Sequence, residues 1–307
     1  MKTLCGDEVI TMKQTSFDRR FDCTVNVLLM FLLLIVAYPL YFVVIASIST
    51  PAQVITGHVV LWPKGLTFAG YQKIIEYERV WIGYRNTIIY VVLYTKLSVS
   101  VTMLSGYALT RKSLRGRGVI MFLILLTMYF SGGLIPTFLW MNELKLVGSP
   151  LAVIILGSVS AYNIVIARTF ISSNIPEELY EAAVLDGCTH FQFFNHIVLR
   201  LSPALLAVLT LFAAVGQWNS WFNAMIYLRD QNQMPLQLVL RDLIISESAF
   251  ANAADMANQG EDAAQQALVA EQIKYAMIIV STLPIMCLYP FVQRYFVKGI
   301  MIGSIKG

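Results

Sequence analysis

The sequence predicts an all-α membrane protein with six transmembrane helices, and three observations carry that reading. The first is composition: of 307 residues, 57% are hydrophobic and 13% are charged, where a soluble domain carries roughly 25% charged residues. Lipid is the solvent that suits so apolar a chain. The second is length: six apolar runs reach the roughly 20 residues that a bilayer-crossing helix needs, at about 25–48, 82–109, 118–140, 150–171, 201–226 and 273–297. The third is that Lys and Arg are distributed among the connecting loops in a way that fits a single orientation.

The first run follows Arg19 and Arg20, as a signal peptide would. It is too long for the hydrophobic region of a signal, and no small-residue cleavage site closes it, so it reads as a retained span. The first and sixth runs contain prolines, Pro39 in one and Pro284 and Pro290 in the other; neighbouring helices can satisfy the carbonyls these free. Pro136 is expected to mark the exit of the third run. The loop after the second run, Arg111-Lys112-Ser113-Leu114-Arg115-Gly116-Arg117, carries four positive charges and no negative one, which places it in the cytoplasm. Alternation then puts both termini inside, the first with Lys13, Arg19 and Arg20, the last with Arg294, Lys298 and Lys306. The 227–272 loop falls outside and is mostly acidic, with Asp230, Asp242, Glu247, Asp255, Glu261, Asp262 and Glu271 against Arg229 and Arg241. Two outer segments are long enough for structure of their own. Residues 49–80 hold a turn at Trp62-Pro63-Lys64-Gly65 and an amphipathic stretch from Tyr71 to Glu78, and 245–272, rich in Ala, Gln, Glu and Asn, reads as a surface helix. The expected organisation is residues 1–81 as an N-terminal segment, first span and outer loop, 82–297 as the core, and 298–307 as a cytoplasmic tail.

Several functions are disfavoured. Basic residues sit in short clusters beside apolar runs, not in a nucleic-acid patch. Cys5, Cys23, Cys188 and Cys287 are far apart in sequence, which argues against a disulfide framework or a zinc site. His58, His190 and His196 read as surface or packing residues, and no Ser/His/Asp or Cys/His arrangement faces a membrane cleft. There is no Gly-x-x-x-x-Gly-Lys-Ser/Thr phosphate loop.

The 172–200 loop is the informative exception to a simple basic cytoplasmic loop. It reads Asn174-Ile175-Pro176-Glu177-Glu178-Leu179-Tyr180-Glu181-Ala182-Ala183-Val184-Leu185-Asp186-Gly187-Cys188-Thr189-His190-Phe191. Asn174 and Pro176 are helix-start residues, and Glu177 and Glu178 suit the positive end of a helix dipole. Gly187 is a natural stop. Thr189 then caps a second helix in which Phe191, Phe194, Val198 and Leu201 recur at helical spacing. Two short helices nearly at right angles are expected, with small Ala182 and Ala183 permitting close approach and Glu181 offering a charge. Membrane insertion requires no such knob; docking into a partner does.

Glu181-Ala182-Ala183, Gly187 and Ile197-Val198-Leu199 resemble the EAA signature of permease subunits in binding-protein-dependent ABC importers. Gly216-Gln217-Trp218-Asn219-Ser220-Trp221-Phe222-Asn223, Pro235-Leu236-Gln237 and the tail Lys298-Gly299-Ile300-Met301-Ile302-Gly303-Ser304-Ile305-Lys306-Gly307 are similar to carbohydrate permeases of the maltose-transporter type, closest to the branch for complex or acidic oligosaccharides. One departure is visible: the family places proline after Ile-x-Leu, where this chain has Arg200 and then Pro203. The resemblance implies a type I ABC importer permease in a bacterial inner membrane, surrounded by lipid and forming half of an alternating-access pathway for an oligosaccharide. It further implies a homologous, usually different, partner permease, two ATPase subunits that bind the ATP and Mg this chain does not, and an extracytoplasmic binding protein meeting the 49–80 and 245–272 segments. Glu181, Ala182, Ala183, Asp186, Gly187 and Phe191 would engage the ATPase, with the tail reaching between the ATPase subunits.

Two further features bear on substrate. Lys96 lies mid-way along the second run, where a charge costs roughly 2.5–3.5 kcal/mol on insertion scales and marks a functional hypothesis. Eleven residues make three helical turns and about 20° more, so Arg85, Lys96 and Tyr107 share one face with Ser100 between them. That face is a candidate path for an anionic sugar; alternatively Lys96 pairs with an acid of the partner permease or snorkels. Gln217, Trp218, Asn219, Ser220, Trp221, Phe222 and Asn223 mix aromatic faces with amides, the usual chemistry of a polar-ligand pocket; an interfacial aromatic belt is the other reading. An ion-coupled secondary transporter remains the rival class. It would want acids inside the spans, where none lies, and an internal repeat, which is absent.

Overall fold

The computed structural model describes residues 16–256, 268, 272–287 and 290. Among them every regular element is helical, apart from one isolated antiparallel bridge between Ser49 and Leu66. Two compact units divide between Phe68 and Ala69.

In the first unit, α1 (Ser16–Ser47) runs unbroken through Pro39. Its side chains from Arg19 to Tyr41 are exposed among the described residues. After α2 (Pro51–Ile55) the chain folds back along the end of α1. Tyr38 donates from its hydroxyl to the Val60 carbonyl at 3.2 Å, and Tyr41 donates to that of Leu61. The Thr50 N–H donates to the Lys64 carbonyl at 3.0 Å.

The second unit opens with α3 (Ala69–Glu76) and α4 (Glu78–Thr110). Glu78, expected to end the amphipathic stretch, begins the long helix instead. The other helices are α5 (Arg117–Tyr129), α6 (Leu134–Glu143), α7 (Pro150–Ile155), α8 (Ala161–Asn174), α9 (Glu177–Leu185), α10 (His190–Leu201), α11 (Pro203–Trp218), α12 (Phe222–Tyr227), α13 (Leu236–Met256) and α14 (Gln272–Cys287). Within α10 a π turn, Phe194–Val198, brings Phe193, Phe194 and Val198 together into the core.

At 33 residues α4 is about 50 Å long, and it is the spine of this unit. Gly83 lets the Leu236 backbone approach, since an added Cβ would stand 3.0 Å from the Leu236 Cα; at Gly106 it would stand 2.7 Å from the Ala167 Cβ. Met103 and Tyr107 of α4 join Ala167 and Ile171 of α8, Phe193 and Phe194 of α10 and Leu209 of α11 in one core cluster. Midway, Tyr94 donates to the Gly157 carbonyl at 2.6 Å, where α7 gives way to α8.

The apolar runs are less continuous than their composition suggests. Among the described residues two helices are long and apolar enough to cross a membrane, Arg19–Ser47 and Glu78–Thr110, or up to four if each of two bent pairs makes one span. The third run is bent by 118° between α5 and α6. The break is at Phe130–Gly133, ahead of Pro136, which sits in the first turn of α6 where its missing N–H has no helical partner to lose. The fourth run is divided at Gly157, and the chain turns by 85° between α10 and α11, at Ser202 just before Pro203. The helix expected over 245–272 starts earlier, at Leu236. Residues 1–15, most of 257–271, the end of the sixth run and the 298–307 tail lie outside the described residues.

Candidate functional site

The 172–200 loop folds from local signals. Glu177 and Glu178 occupy the first turn of α9 behind Pro176, and Gly187 ends it at φ 77°, a conformation that a side chain would strain. Thr189 and Gln192 form a capping box at the start of α10: the Gln192 N–H donates to Thr189 Oγ1 at 3.3 Å, and the Thr189 N–H to Gln192 Oε1 at 2.8 Å. The two helices present a surface to solvent. Glu181, Ala182, Asp186 and Gly187 are exposed, as are Leu185 at 89% and Phe191 at 69%, whereas Ala183 is buried and packs into the core.

Behind that surface lies a residue the sequence did not single out. Arg111 contributes one of the four charges that orient the 111–117 loop, yet the structure buries it. Its guanidinium carbon lies 4.4 Å from the ring centre of Tyr180 in α9, 5.1 Å from that of Tyr107 in α4 and 5.7 Å from that of Phe193 in α10. Its Nη2 is 3.8 Å from Glu177 Oε2, and its Nη1 has no hydrogen-bond partner. The Tyr107 hydroxyl is 3.2 Å from His190 Nδ1, and that of Tyr180 is 3.4 Å from the same nitrogen. A cation held among ring faces thus fixes α9 and α10 to the end of α4.

The opposite end of α4 is held differently. Asn86 Nδ2 donates to the carbonyls of Asn232 at 2.7 Å and Met234 at 3.1 Å, and the Tyr90 hydroxyl donates to that of Gln233 at 2.8 Å. The Leu236 N–H donates to Thr87 Oγ1 at 2.8 Å, at the start of α13. An Asn-Thr pair inside an apolar run is the signal that could have marked this site.

The remaining sequence candidates are separated by the fold. Arg85, Lys96 and Ser100 are exposed on α4, while Tyr107, on the same helical face, is covered by α10. Gln217 and Trp218 are buried: Gln217 Nε2 lies 3.5 Å from the Val153 carbonyl, and Trp218 Nε1 donates to that of Ser281 at 3.0 Å. Asn219 is exposed and donates to the Val215 carbonyl of its own helix at 3.0 Å, and Asn223 is half-buried. Trp221 is exposed, with the Arg241 guanidinium 4.7 Å from its ring centre. It borders a groove of about 500 Å3 with Gln237, Arg241 and Ser281. So Gln217 and Trp218 tie helices together, while Trp221 faces an open space. Among the described residues no group of three His, Cys, Asp or Glu is placed to hold a metal ion.

No protein-family model matches the chain; individual proteins do. The polygalacturonan/rhamnogalacturonan transport system permease protein YtcP of Bacillus subtilis is 35% identical over 290 residues, 94% of this chain and 99% of that one. The arabinooligosaccharides transport system permease protein AraQ of Halalkalibacterium halodurans is 26% identical over 282 residues, 90% of this chain and 94% of that one. Among solved structures, a chain from the crystal structure of a bacterial ABC transporter involved in the import of the acidic polysaccharide alginate matches with a TM-score of 0.81 at 33% identity, covering 93% of this chain and 100% of that one. Likeness over nearly the whole length to transport permeases places the chain in a class of membrane transport subunits. This chain belongs to the permease subunits of sugar ABC importers.

Proposed function

We propose that this permease forms half of an alternating-access pathway for an acidic oligosaccharide, with the 172–200 loop as the EAA element that docks on a separate ATPase. The observation that carries the docking role is the exposed Leu185–Phe191 surface with Glu181 and Asp186, set on two helices whose ends are individually capped. In this reading the ATPase subunits bind ATP and Mg, the permease pair is heteromeric, and a binding protein delivers the sugar from outside. Six spans with both termini in the cytoplasm follow from the apolar runs and the loop charges, with 82–297 as the core, α5 and α6 together making the third span, and α10 kept on the cytoplasmic side ahead of the fifth span at 201–226. The test is co-purification of the intact chain and of a Glu181→Lys, Gly187→Trp variant, with ATP hydrolysis measured on both. The intact chain is expected to bring down an ATPase and the variant to lose it. Equal retention by both removes the loop from coupling, and recovery of both chains alone reopens the ion-coupled reading.

The acidic character of the sugar rests on Lys96 and Arg85, exposed along one face of α4, together with the likeness to permeases named for polygalacturonan and alginate systems. An ionisable side chain within a span marks a substrate or ion path, or pairs with a neighbouring acid. The Lys96→Met variant is expected to import a neutral oligosaccharide normally and an acidic one poorly. Equal import of both refutes the role of Lys96.

A further inference from the structure

We infer that α4 is the rigid link through which the 172–200 loop and the 230–236 turn move together, with Arg111 and Asn86 as the positioning residues at its two ends. This rests on the coupling role proposed for the loop and goes beyond it, since that role says what the ATPase touches and not what carries the movement onward.

The inner attachment is Arg111. Burying a guanidinium costs free energy that ring faces and a carboxylate only partly offset, and an apolar residue of similar volume is often as stable or more so. Packing alone therefore does not explain an arginine here. What it does that methionine cannot is join three elements at once: it stacks on Tyr180 of α9 and Phe193 of α10 and reaches Glu177 at the start of α9, all from the end of α4. Stacking uses the flat faces of the guanidinium, and on its N–H edge Nε donates to Thr110 Oγ1 at 3.2 Å. Nη1 makes no hydrogen bond and the 3.8 Å contact with Glu177 is long, so on the Nη side the carboxylate can shift while the guanidinium stays among its rings.

The outer attachment is Asn86. Its amide holds two carbonyls of the turn that precedes α13, and Thr87 takes the first N–H of that helix. Gly83 brings the backbones close enough for this. No proline interrupts the 33 residues between Glu78 and Thr110. A packed helix with an unbroken ladder passes a displacement at one end to the other, the physical basis on which elements couple distant sites.

The test uses the permease complex co-purified with its ATPase, carrying a fluorescent label on Gln231→Cys after replacement of the four native cysteines. The readout is the change in label emission when a non-hydrolysable ATP analogue and magnesium are added, which needs no knowledge of the sugar. Arg111→Met and Asn86→Ala are each expected to cut that change about tenfold, within the usual range for coupling between sites, while the ATPase still co-purifies. Arg111→Lys, which keeps the charge but not the flat face, should fall between. Tyr180→Leu, which removes a ring and leaves the arginine, should repeat the Arg111→Met loss and guards against a folding defect peculiar to that variant. Because the two attachments act in series, the double variant should be no worse than the worse single one. An undiminished response in Arg111→Met, or losses that multiply in the double variant, overturns the inference. So does loss of the ATPase from Arg111→Met, which would make the arginine a docking residue. If the unaltered chain brings down no ATPase, the coupling reading itself fails.

Discussion

The two ends of α4 are fastened by different chemistry. At the Glu78 end, Asn86, Thr87 and Tyr90 make four short hydrogen bonds to the backbone of 232–236. Such bonds are directional and fail when a partner moves by an ångström. At the Thr110 end, Arg111 lies among three rings with a carboxylate 3.8 Å away, and cation–ring attraction falls off gently as the cation slides. One end fixes a position and the other permits a short excursion. A helix that must follow a moving partner at one end and deliver the motion at the other is best built this way round.

Substitutions at each end can break or sharpen this contrast. The largest loss of stability is expected from Thr87→Val, which strands the buried Leu236 N–H at a cost of about 1–3 kcal/mol, read as a lower unfolding midpoint of the purified transporter. A smaller loss, about 1 kcal/mol, is expected when Thr189→Ala opens the capping box of α10, and it should be confined to faster hydrogen exchange in 189–193. The smallest is Glu177→Gln. Its carboxylate is one-third exposed and the arginine keeps its rings, so a change of about 0.5 kcal/mol is expected, as for a surface pair. A loss of about 3 kcal/mol there would reveal a tight buried pair and end the idea of a yielding inner attachment.

What the sequence discloses follows the range of the forces involved. The limits of α9 and the start of α10 were legible because Pro176, Glu177, Gly187 and Thr189 act within one or two turns of themselves. Asn174, read as a helix start, instead ends α8 and donates from Nδ2 to the Phe170 carbonyl, and the Gln192 half of the capping box was missed. The spine was legible as a single apolar run from 82 to 109. The breaks at Phe130–Gly133 and Gly157 were not, because an apolar run keeps its hydropathy when its helix changes direction. Arg111 was counted correctly as a positive charge and missed as a buried one. Loop charge is a sum over residues, whereas burial of one of them depends on Tyr180 and Phe193, which lie far along the chain. Gln217 and Trp218 likewise take their partners from α7 and α14, contacts that only the fold supplies.

The π turn at Phe194–Val198 bears on how the length of this chain can vary. A helix that gains one residue must either rotate everything beyond it by about 100° or take up the excess in a single wide turn. Here the excess is taken up between Thr189, which caps the start of α10, and Leu201, which leads into α11. Deletion of the exposed Asn195 would remove that slack and restore an ordinary helical turn. Loss of one residue at this point therefore closes the wide turn to an ordinary one and leaves the helices before and after it with their neighbours, whereas a further gain has no such outlet.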